Sequence, residues 1–452
     1  MRKMRKVAAL LLSAVMCVSC FAGCGKGGGS ETKAPAETKG AAKETEKAEG
    51  TKAQGESQSS AAGFDGTIKM GAVLPLTGAS AETGIGVQQG LELAAAEINE
   101  AGGIKMNGKS YEVELYFEDD QGAADQSVSA AEKLLTMDGV SILYSECLSS
   151  CALAIMDICN QYPDTLFTTV ECTSDNFSKL ISEDPDRYFN FFKPCFNSAD
   201  YGSNFGEMIA DLSKEGIIDF ENKKVAYIVE DTDAGRSCVD ACEAALEEFC
   251  GGSETVAIEV VPQGSTDFYS QINKIKSLEP DVVMTYFVPL NSGVAYCKQV
   301  YELGRDWTDV GFVYPMKAGF VEQAGAACEG LIWFPQMADF EHDEKCAQFG
   351  EKVLNMFPKA GLTAIHLSAY NIMYMVKEAL ETSGTTSAKD GLAEAYFNVD
   401  YQAINGRYVF KEDHTSKSSA EYLPVTCAQV QNQEYYVIWP SEYATAEPVS
   451  QQ

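Results

Sequence analysis

The sequence has little histidine and few basic residues, and each shortage argues against a class of function. Only His342, His366 and His414 occur, and they are too far apart in sequence to form a metal-ligand motif. Lysine and arginine together number 34, against 66 aspartates and glutamates, which gives a formal net charge of −32. Binding nucleic acid requires a basic face, so this balance argues against a nucleic-acid partner. We expect neither a metal nor another cofactor.

Catalytic motifs are also missing. The sequence has no P-loop, no G-x-S-x-G elbow and no H-E-x-x-H pair. The nearest candidate is "GIGVQQG", from Gly84 to Gly90, whose last gap is one residue too long for a dinucleotide fingerprint. We interpret these glycines as letting a loop approach a ligand at a helix N-terminus. No enzyme activity is expected.

The apolar run at the N-terminus, Val7 to Val18, is too short to span a bilayer. It follows a cluster of basic residues, as in an export signal, and is followed by "FAGC", which ends at Cys24 and resembles the lipobox of bacterial lipoproteins. The resemblance implies that residues 1–23 are a signal peptide. It also implies that acylated Cys24 anchors the chain at the extracellular face of the membrane. A plain secretory signal with an incidental cysteine is the alternative.

Residues 24–63 lack any large apolar side chain and consist mostly of Gly, Ala, Ser, Lys, Glu and Thr. Such a segment cannot offset the entropy lost on ordering, so we predict a disordered linker. Of the 15 cysteines, twelve lie beyond it, from Cys147 to Cys427, with no C-x-x-C pair among them. An exported protein allows disulfides whose pairing cannot be deduced, but we favour mostly free, buried thiols.

Strand and helix patterns alternate along the rest of the chain. Apolar stretches such as "IKMGAVL" and "VSILYSE" predict buried strands, and "GVQQGLELAAAEINEAGGI" has helical apolar spacing with a glycine stop. The alternation restarts near position 200 with "GSNFGEMIADLSKEG" and "KKVAYIVED". This order predicts an α/β protein with parallel sheets flanked by helices, arranged in two lobes.

Hydroxyl side chains follow two strands of the first predicted lobe. Ser149 and Ser150 begin a helix in "CLSSCALA", and Cys172 and Thr173 occupy the same kind of link in "VECTSDN". Hydroxyls and helix N-termini bind anions, and ligands of parallel sheets lie at these strand ends. A ligand carboxylate is therefore expected here, with plain helix capping as the alternative.

In the second lobe Asp231, Tyr286, Phe287 and Lys317 likewise follow predicted strands. An aromatic wall there would bury an apolar part of a ligand. Packing within the core explains an aromatic side chain equally well.

Several stretches resemble the leucine/isoleucine/valine-binding proteins, the extracellular solute-binding subunits of ABC transporters. They are "IKMGAVLPLTGASAETGIGVQQGLELAAAEINEAGGI", "VELYFEDDQGAADQSVSAAEKLL", "STDFYSQINKIKSLEPDVV" and "CEGLIWFPQ". The resemblance implies a type I periplasmic-binding fold with a three-stranded hinge. Lobe 1 would comprise 64–194 and 336–405, lobe 2 would comprise 195–335 and 406–440, and 441–452 would form a tail.

The resemblance also implies roles for individual residues. Ser149, Cys172 and Thr173 match positions that hold an amino-acid carboxylate. Thr83 falls where a large aromatic often lines the side-chain pocket, and Tyr286 or Phe287 would lie near the amine.

The acid expected to pair with the ligand's ammonium would fall in "YPMKAG", where this chain has Met316 or Lys317. A lysine facing an ammonium is repulsive. Either Asp231 or another acid takes over this role, or the ligand has no amine.

The resemblance implies a monomeric solute-binding subunit of an ABC importer. It would capture a branched-chain amino acid, or a related small carboxylate or amide, by lobe closure and then dock on the permease. The alternative is a ligand-sensing subunit of the same fold that signals to a membrane receptor.

Overall fold

A computed structural model describes residues 63–145, 147–334, 338, 340, 343–419 and 421–451. The predicted signal peptide, Cys24 and all but the last residue of the predicted linker lie outside these residues. Within them, every helix is too short or too polar to cross a bilayer.

The chain up to Phe192 forms one sheet and the helices that cover it. The strands are β1 (Gly66–Leu74), β2 (Ile104–Met106), β3 (Lys109–Asp119), β4 (Ile142–Ser145), β5 (Leu166–Thr168) and β6 (Phe191–Phe192). The helices are α1 (Ala81–Glu100), α2 (Ala124–Lys133), α3 (Ser149–Met156) and α4 (Asn176–Glu183). The strand order is β2-β3-β1-β4-β5-β6, and all neighbours are parallel except β2 and β3. The apolar run of β1 is buried because helices cover both faces of such a sheet.

The next part of the chain builds a second sheet. Its helices are α5 (Ser198–Lys214), α6 (Asp233–Cys250), α7 (Tyr269–Lys276), α8 (Leu290–Leu303) and α9 (Phe320–Ala324). Its strands are β7 (Lys224–Glu230), β8 (Glu254–Val261), β9 (Val282–Phe287), β10 (Thr308–Val313) and β11 (Ile332–Trp333). These five strands are parallel, and their carboxyl ends therefore share one edge.

The last part of the chain packs a helix beside the first sheet and adds strands to the second. Its helices are α10 (Glu344–Met356), α11 (Ala364–Ser383) and α12 (Ala393–Phe397), and its strands are β12 (Asp400–Gln402), β13 (Arg407–Val409), β14 (Cys427–Gln431) and β15 (Glu434–Trp439). Helix α11 packs on α1, whereas the β14–β15 hairpin completes the second sheet in the order β15-β14-β11-β10-β9-β7-β8. The chain thus passes between the sheets after β6, after β11 and before β14. The predicted two-lobed α/β fold is confirmed.

The glycines of "GIGVQQG" have a packing role that differs from our interpretation. Gly84 and Gly90 are buried on α1. A Cβ at Gly84 would lie 2.4 Å from the carbonyl oxygen of Pro75, and one at Gly90 would lie 2.4 Å from that of His366 in α11. These glycines are needed for close packing of α1 against its own loop and against α11.

The twelve cysteines are buried apart from Cys250, which is half-buried, and no disulfide joins any pair in the described part of the chain. Cys238 and Cys242 lie one turn apart on α6, and both are buried. Burial raises the pKa of Cys195 to about 12, which keeps this thiol protonated and unreactive.

Candidate functional site

A cavity of about 50 Å³ lies between the two sheets, at the carboxyl ends of their strands. Thr83, Ser149 and Thr173 line it from the first sheet, and Gln263 and Tyr286 line it from the second. Its volume holds a few water molecules or part of a small solute. Because both lobes supply the wall, a solute here would contact both at once.

The N-terminus of α3 opens onto the cavity through Ser149 and Ser150. Ser149 is the first residue of the helix and is buried, and its Oγ accepts a hydrogen bond of 3.2 Å from the backbone N–H of Ser174. The first turn of a helix carries backbone N–H groups without helical partners and a partial positive charge. Hydroxyls at that position form a site suited to a carboxylate.

Thr173 and Tyr286 meet across the cavity from opposite lobes. Their hydroxyl oxygens are 3.5 Å apart, and both side chains are buried. Burial raises the pKa of Tyr286, so the phenol remains a neutral hydroxyl that donates or accepts.

Lys317 is buried, and its Nζ donates a hydrogen bond of 2.6 Å to Thr83 Oγ1. Lys317 follows β10 in the second lobe, whereas Thr83 lies in the first turn of α1, so this bond joins the lobes. Burial lowers the pKa of Lys317, and the nearby carboxyl of Glu82 opposes that shift most strongly. Thr83 lines the cavity, whereas Lys317 is not part of the wall and reaches it through its hydrogen bond to Thr83.

Glu230, the last residue of β7, is a buried acid beside the cavity. Its carboxylate accepts hydrogen bonds of 2.9 Å from the backbone N–H groups of Gly264 and Val288. Burial raises its pKa to about 7. Glu230 thereby fixes two loops that contribute Gln263 and Val288 to the wall.

Asp231 does not lie in the cavity. It is exposed, and its carboxylate forms an ion pair of 2.7 Å with Arg236. Glu230 ends β7 and is buried, whereas Asp231 lies just beyond the strand, in the turn before α6, and is exposed. The sequence stretch "IVED" contains both acids, and the end of the strand between them distinguishes their surroundings.

Cys172 and Phe287 are also outside the cavity wall. Cys172 packs in the core of the first lobe with Phe167 and Phe177. The ring of Phe287 contacts Phe268, with 4.9 Å between ring centroids, in the core of the second lobe. The structure therefore places Phe287 in the core, as the alternative interpretation has it, whereas Tyr286 lines the cavity.

Sequence reasoning missed several wall residues. Glu171 lines the cavity next to Cys172 in the quoted "VECTSDN", and of the two residues considered in "YPMKAG" it is Met316 that belongs to the wall. Gln263 and Ile365 come from a loop after β8 and from α11, where no sequence signal distinguished them. Among the described residues, no cluster of His, Cys, Asp or Glu is arranged to hold a metal ion.

The sequence model of the periplasmic binding protein family matches residues 67–431. The chain therefore belongs to the periplasmic binding protein family.

Individual relatives agree with this assignment. The chain is 28% identical over 331 residues to "Leu/Ile/Val-binding protein homolog 3" of Brucella melitensis, an alignment that covers 73% of this chain and 82% of the relative. The structure of a putative branched-chain amino acid ABC transporter from Silicibacter pomeroyi superimposes with a TM-score of 0.72 at 21% identity, covering 85% of this chain and 98% of that one. A solute-binding protein from R. palustris in complex with benzoate gives 0.70 at 17% identity, with the same coverage.

Proposed function

We propose that this protein is the extracellular solute-binding subunit of an ABC importer. Its solute is a branched-chain amino acid or a related small carboxylate or amide. Family membership over residues 67–431 supports the class. The observation that carries the proposal is the interlobe cavity, with Ser149, Ser150 and Thr173 on one side and Tyr286 on the other.

The wall chemistry matches a small organic acid. The hydroxyls and the N-terminus of α3 supply hydrogen-bond donors for a carboxylate. Apolar side chains, including Leu148, Val288, Met316 and Ile365, line the remainder and suit an apolar ligand body.

The mechanism is closure of the lobes on the solute. The proposed lobes are 64–194 with 336–405, and 195–335 with 406–440, and the membership of β1–β6 and of β7–β11 in different sheets supports this division. A solute that contacts both lobes stabilises only the closed form and shifts the population toward it. The closed form then docks on the permease. The proposed tail, 441–452, hydrogen-bonds the second lobe through Gln451 and Asp309.

Acylation of Cys24 and a linker over residues 24–63 would tether this binding unit, as a monomer, to the outer face of the membrane. The "FAGC" stretch supports the anchor. The mass of the mature N-terminal peptide tests it, since a peptide that begins at unmodified residues before Cys24 contradicts acylation.

A thermal-shift screen of the purified full-length chain tests the function. Amino acids, small aliphatic and aromatic carboxylates and amides are added singly, and each hit is measured by calorimetry. A ligand at about 100 times its Kd stabilises the folded state by about 2.7 kcal/mol and so raises Tm by several degrees.

Thr173→Val and Ser178→Ala are a matched pair of variants for this screen. Thr173 lines the cavity, whereas the Ser178 hydroxyl makes only a local hydrogen bond to Asp175 O in α4. We expect Thr173→Val to weaken binding about tenfold and Ser178→Ala to leave it unchanged. If no compound raises Tm, the proposed function is wrong.

A further inference from the structure

The Thr83 hydroxyl lacks a hydrogen-bond acceptor for its own proton. Its oxygen accepts from Lys317 Nζ at 2.6 Å, and nothing else in the described part of the chain bonds to it. A hydroxyl has one hydrogen to donate, and Thr83 is only 6% exposed and lines the cavity. A buried donor left without a partner is costly, so this hydrogen needs an acceptor inside the cavity.

Lys317 sets the electrostatic field at the same place. Within the described residues it forms no ion pair, and the carboxyls of Glu82, Glu171 and Glu230 act on it only at longer range. Glu230 is further engaged by two backbone N–H groups. The lysine is 3% exposed, so water screens its charge poorly.

Among the described residues, Glu171 is the acid in the cavity wall, and it lies within the field of Lys317. A ligand ammonium placed beside Glu171 would therefore be attracted by the Glu171 carboxylate and repelled by the Lys317 ammonium. An acceptor or an anion placed beside Thr83 would meet a polarised hydroxyl with a cation directly behind it. The second arrangement uses both the hydroxyl hydrogen of Thr83 and the charge of Lys317.

We infer that the transported solute is a small carboxylic acid that carries a hydrogen-bond acceptor, such as a keto oxygen or a second carboxylate, where an amino acid carries its ammonium. Thr83 donates to that acceptor, and Lys317 is the residue that determines the specificity. This inference rests on the proposed function and narrows its solute class to acids without an amine.

Matched ligands test the inference by calorimetry on the full-length chain. One set is leucine, ketoisocaproate and isocaproate, which share a carbon skeleton and differ at one carbon. A second set is phenylalanine, phenylpyruvate and hydrocinnamate. Any hit from the thermal-shift screen is compared with its own amino or deaminated counterpart in the same way. We expect the keto acid of the preferred skeleton to bind at least about tenfold more tightly than its amino acid.

Two variants connect the preference to these residues. Lys317→Met keeps an unbranched side chain one atom shorter and removes the charge, and Thr83→Val keeps the shape and removes the hydroxyl. Each should reduce the preference for keto acid over amino acid to about threefold or less, mainly by weakening keto-acid binding. Lys298→Met, at an exposed position of α8, changes the net charge equally and should leave the preference unchanged. If Lys317→Met fails to fold, Thr83→Val carries the test alone.

The outcomes separate the inference from the function it rests on. Tighter binding of the amino acid by the wild-type chain overturns the inference and leaves the proposed function standing. So does a Glu171→Gln variant that weakens the amino acid more than the keto acid, because it would mean that Glu171 holds an ammonium. Failure of every compound to bind overturns both.

Discussion

At His366 the surroundings determine the charge of a single side chain. Its Nε2 lies 2.9 Å from Gln89 Oε1, and its Nδ1 lies 3.2 Å from Thr363 Oγ1 at the start of α11. Burial, helped by the charge of Lys317 and opposed by a hydrogen bond with the Thr363 backbone, lowers the pKa of His366 to about 4. The imidazole is therefore neutral in the folded protein under conditions in which the unfolded chain would be protonated.

This difference makes folding sensitive to acid. Because the folded pKa lies below the unfolded value of 6.5, the unfolded chain binds more protons between pH 6.5 and pH 4, and stability is lost as the pH falls through that range. We expect the wild type to lose about 2 kcal/mol of unfolding free energy relative to His366→Gln between pH 7 and pH 5. Urea denaturation of both proteins at each pH measures this difference in unfolding free energy.

Comparison of the two proteins at both pH values removes the contributions of other titrating groups to the free energy of unfolding. Glu230 has a folded pKa of about 7, above its usual value of 4.5, so its contribution falls as the pH rises from 4.5 to 7 and has the opposite sign. It is present in wild type and variant alike and cancels in the difference. Parallel stability curves for the two proteins would contradict the assignment to His366.

Among the elements, the α1–α11 pair shows how backbone contact limits sequence. Gly90 faces α11 so closely that a Cβ there would lie 2.4 Å from the carbonyl oxygen of His366. That oxygen belongs to a helix whose inward face is buried along its length, so it cannot move aside cheaply. In an unpacked helix, alanine would instead be favoured over glycine by about 1 kcal/mol.

Gly90→Ala should therefore destabilise the protein despite the better helix propensity of alanine. We expect a loss of about 1–3 kcal/mol from overpacking, seen as a Tm several degrees lower by calorimetry. Ala96→Gly, at an exposed position of the same helix, is the control for propensity alone and should cost about 1 kcal/mol. An unchanged or higher Tm for Gly90→Ala would show that α11 moves to accommodate the methyl group.

At the scale of the whole molecule, hydrogen bonds join the two proposed lobes across the cavity. Gln263 Nε2 donates to Ser80 Oγ at 3.1 Å, and Lys317 donates to Thr83. Ser80 is buried but does not line the cavity, so its hydroxyl contributes to closure and not to direct ligand contact. Ligand affinity in a closing protein depends on such contacts, because they lower the free energy of the binding-competent form.

Ser80→Ala should weaken the binding of whichever solute is found. The loss of one hydrogen bond made on closure predicts about a two- to tenfold rise in Kd, mostly through faster dissociation. Stopped-flow kinetics measures the dissociation rate, and calorimetry measures Kd. Ser265→Ala is the control, since its hydroxyl bonds to Pro262 O in its own loop. Equal effects of both substitutions would mean that Ser80 does not act through closure.

Local sequence patterns were sufficient for the architecture. Apolar runs gave the strands and periodic spacing gave the helices, and both are short-range properties of the chain. The cavity was predicted in part, because Ser149, Ser150, Thr173 and Tyr286 follow strands and parallel strands end at one edge. Asp231 was misplaced because the exact end of β7 is not visible in the sequence, and one residue separates the buried Glu230 from the exposed Asp231.

By itself, the amino-acid order determined the alternating α/β elements, the acidic surface and the hydroxyls at the strand ends, since propensity, charge and apolar spacing are written along the chain. Only the tertiary structure decided that Lys317 lies behind Thr83, that Glu230 and not Asp231 faces inward, and that Gly90 touches α11. These pairings join residues distant in sequence, and their energies depend on burial and on distances of a few ångströms, which exist only once the lobes have packed.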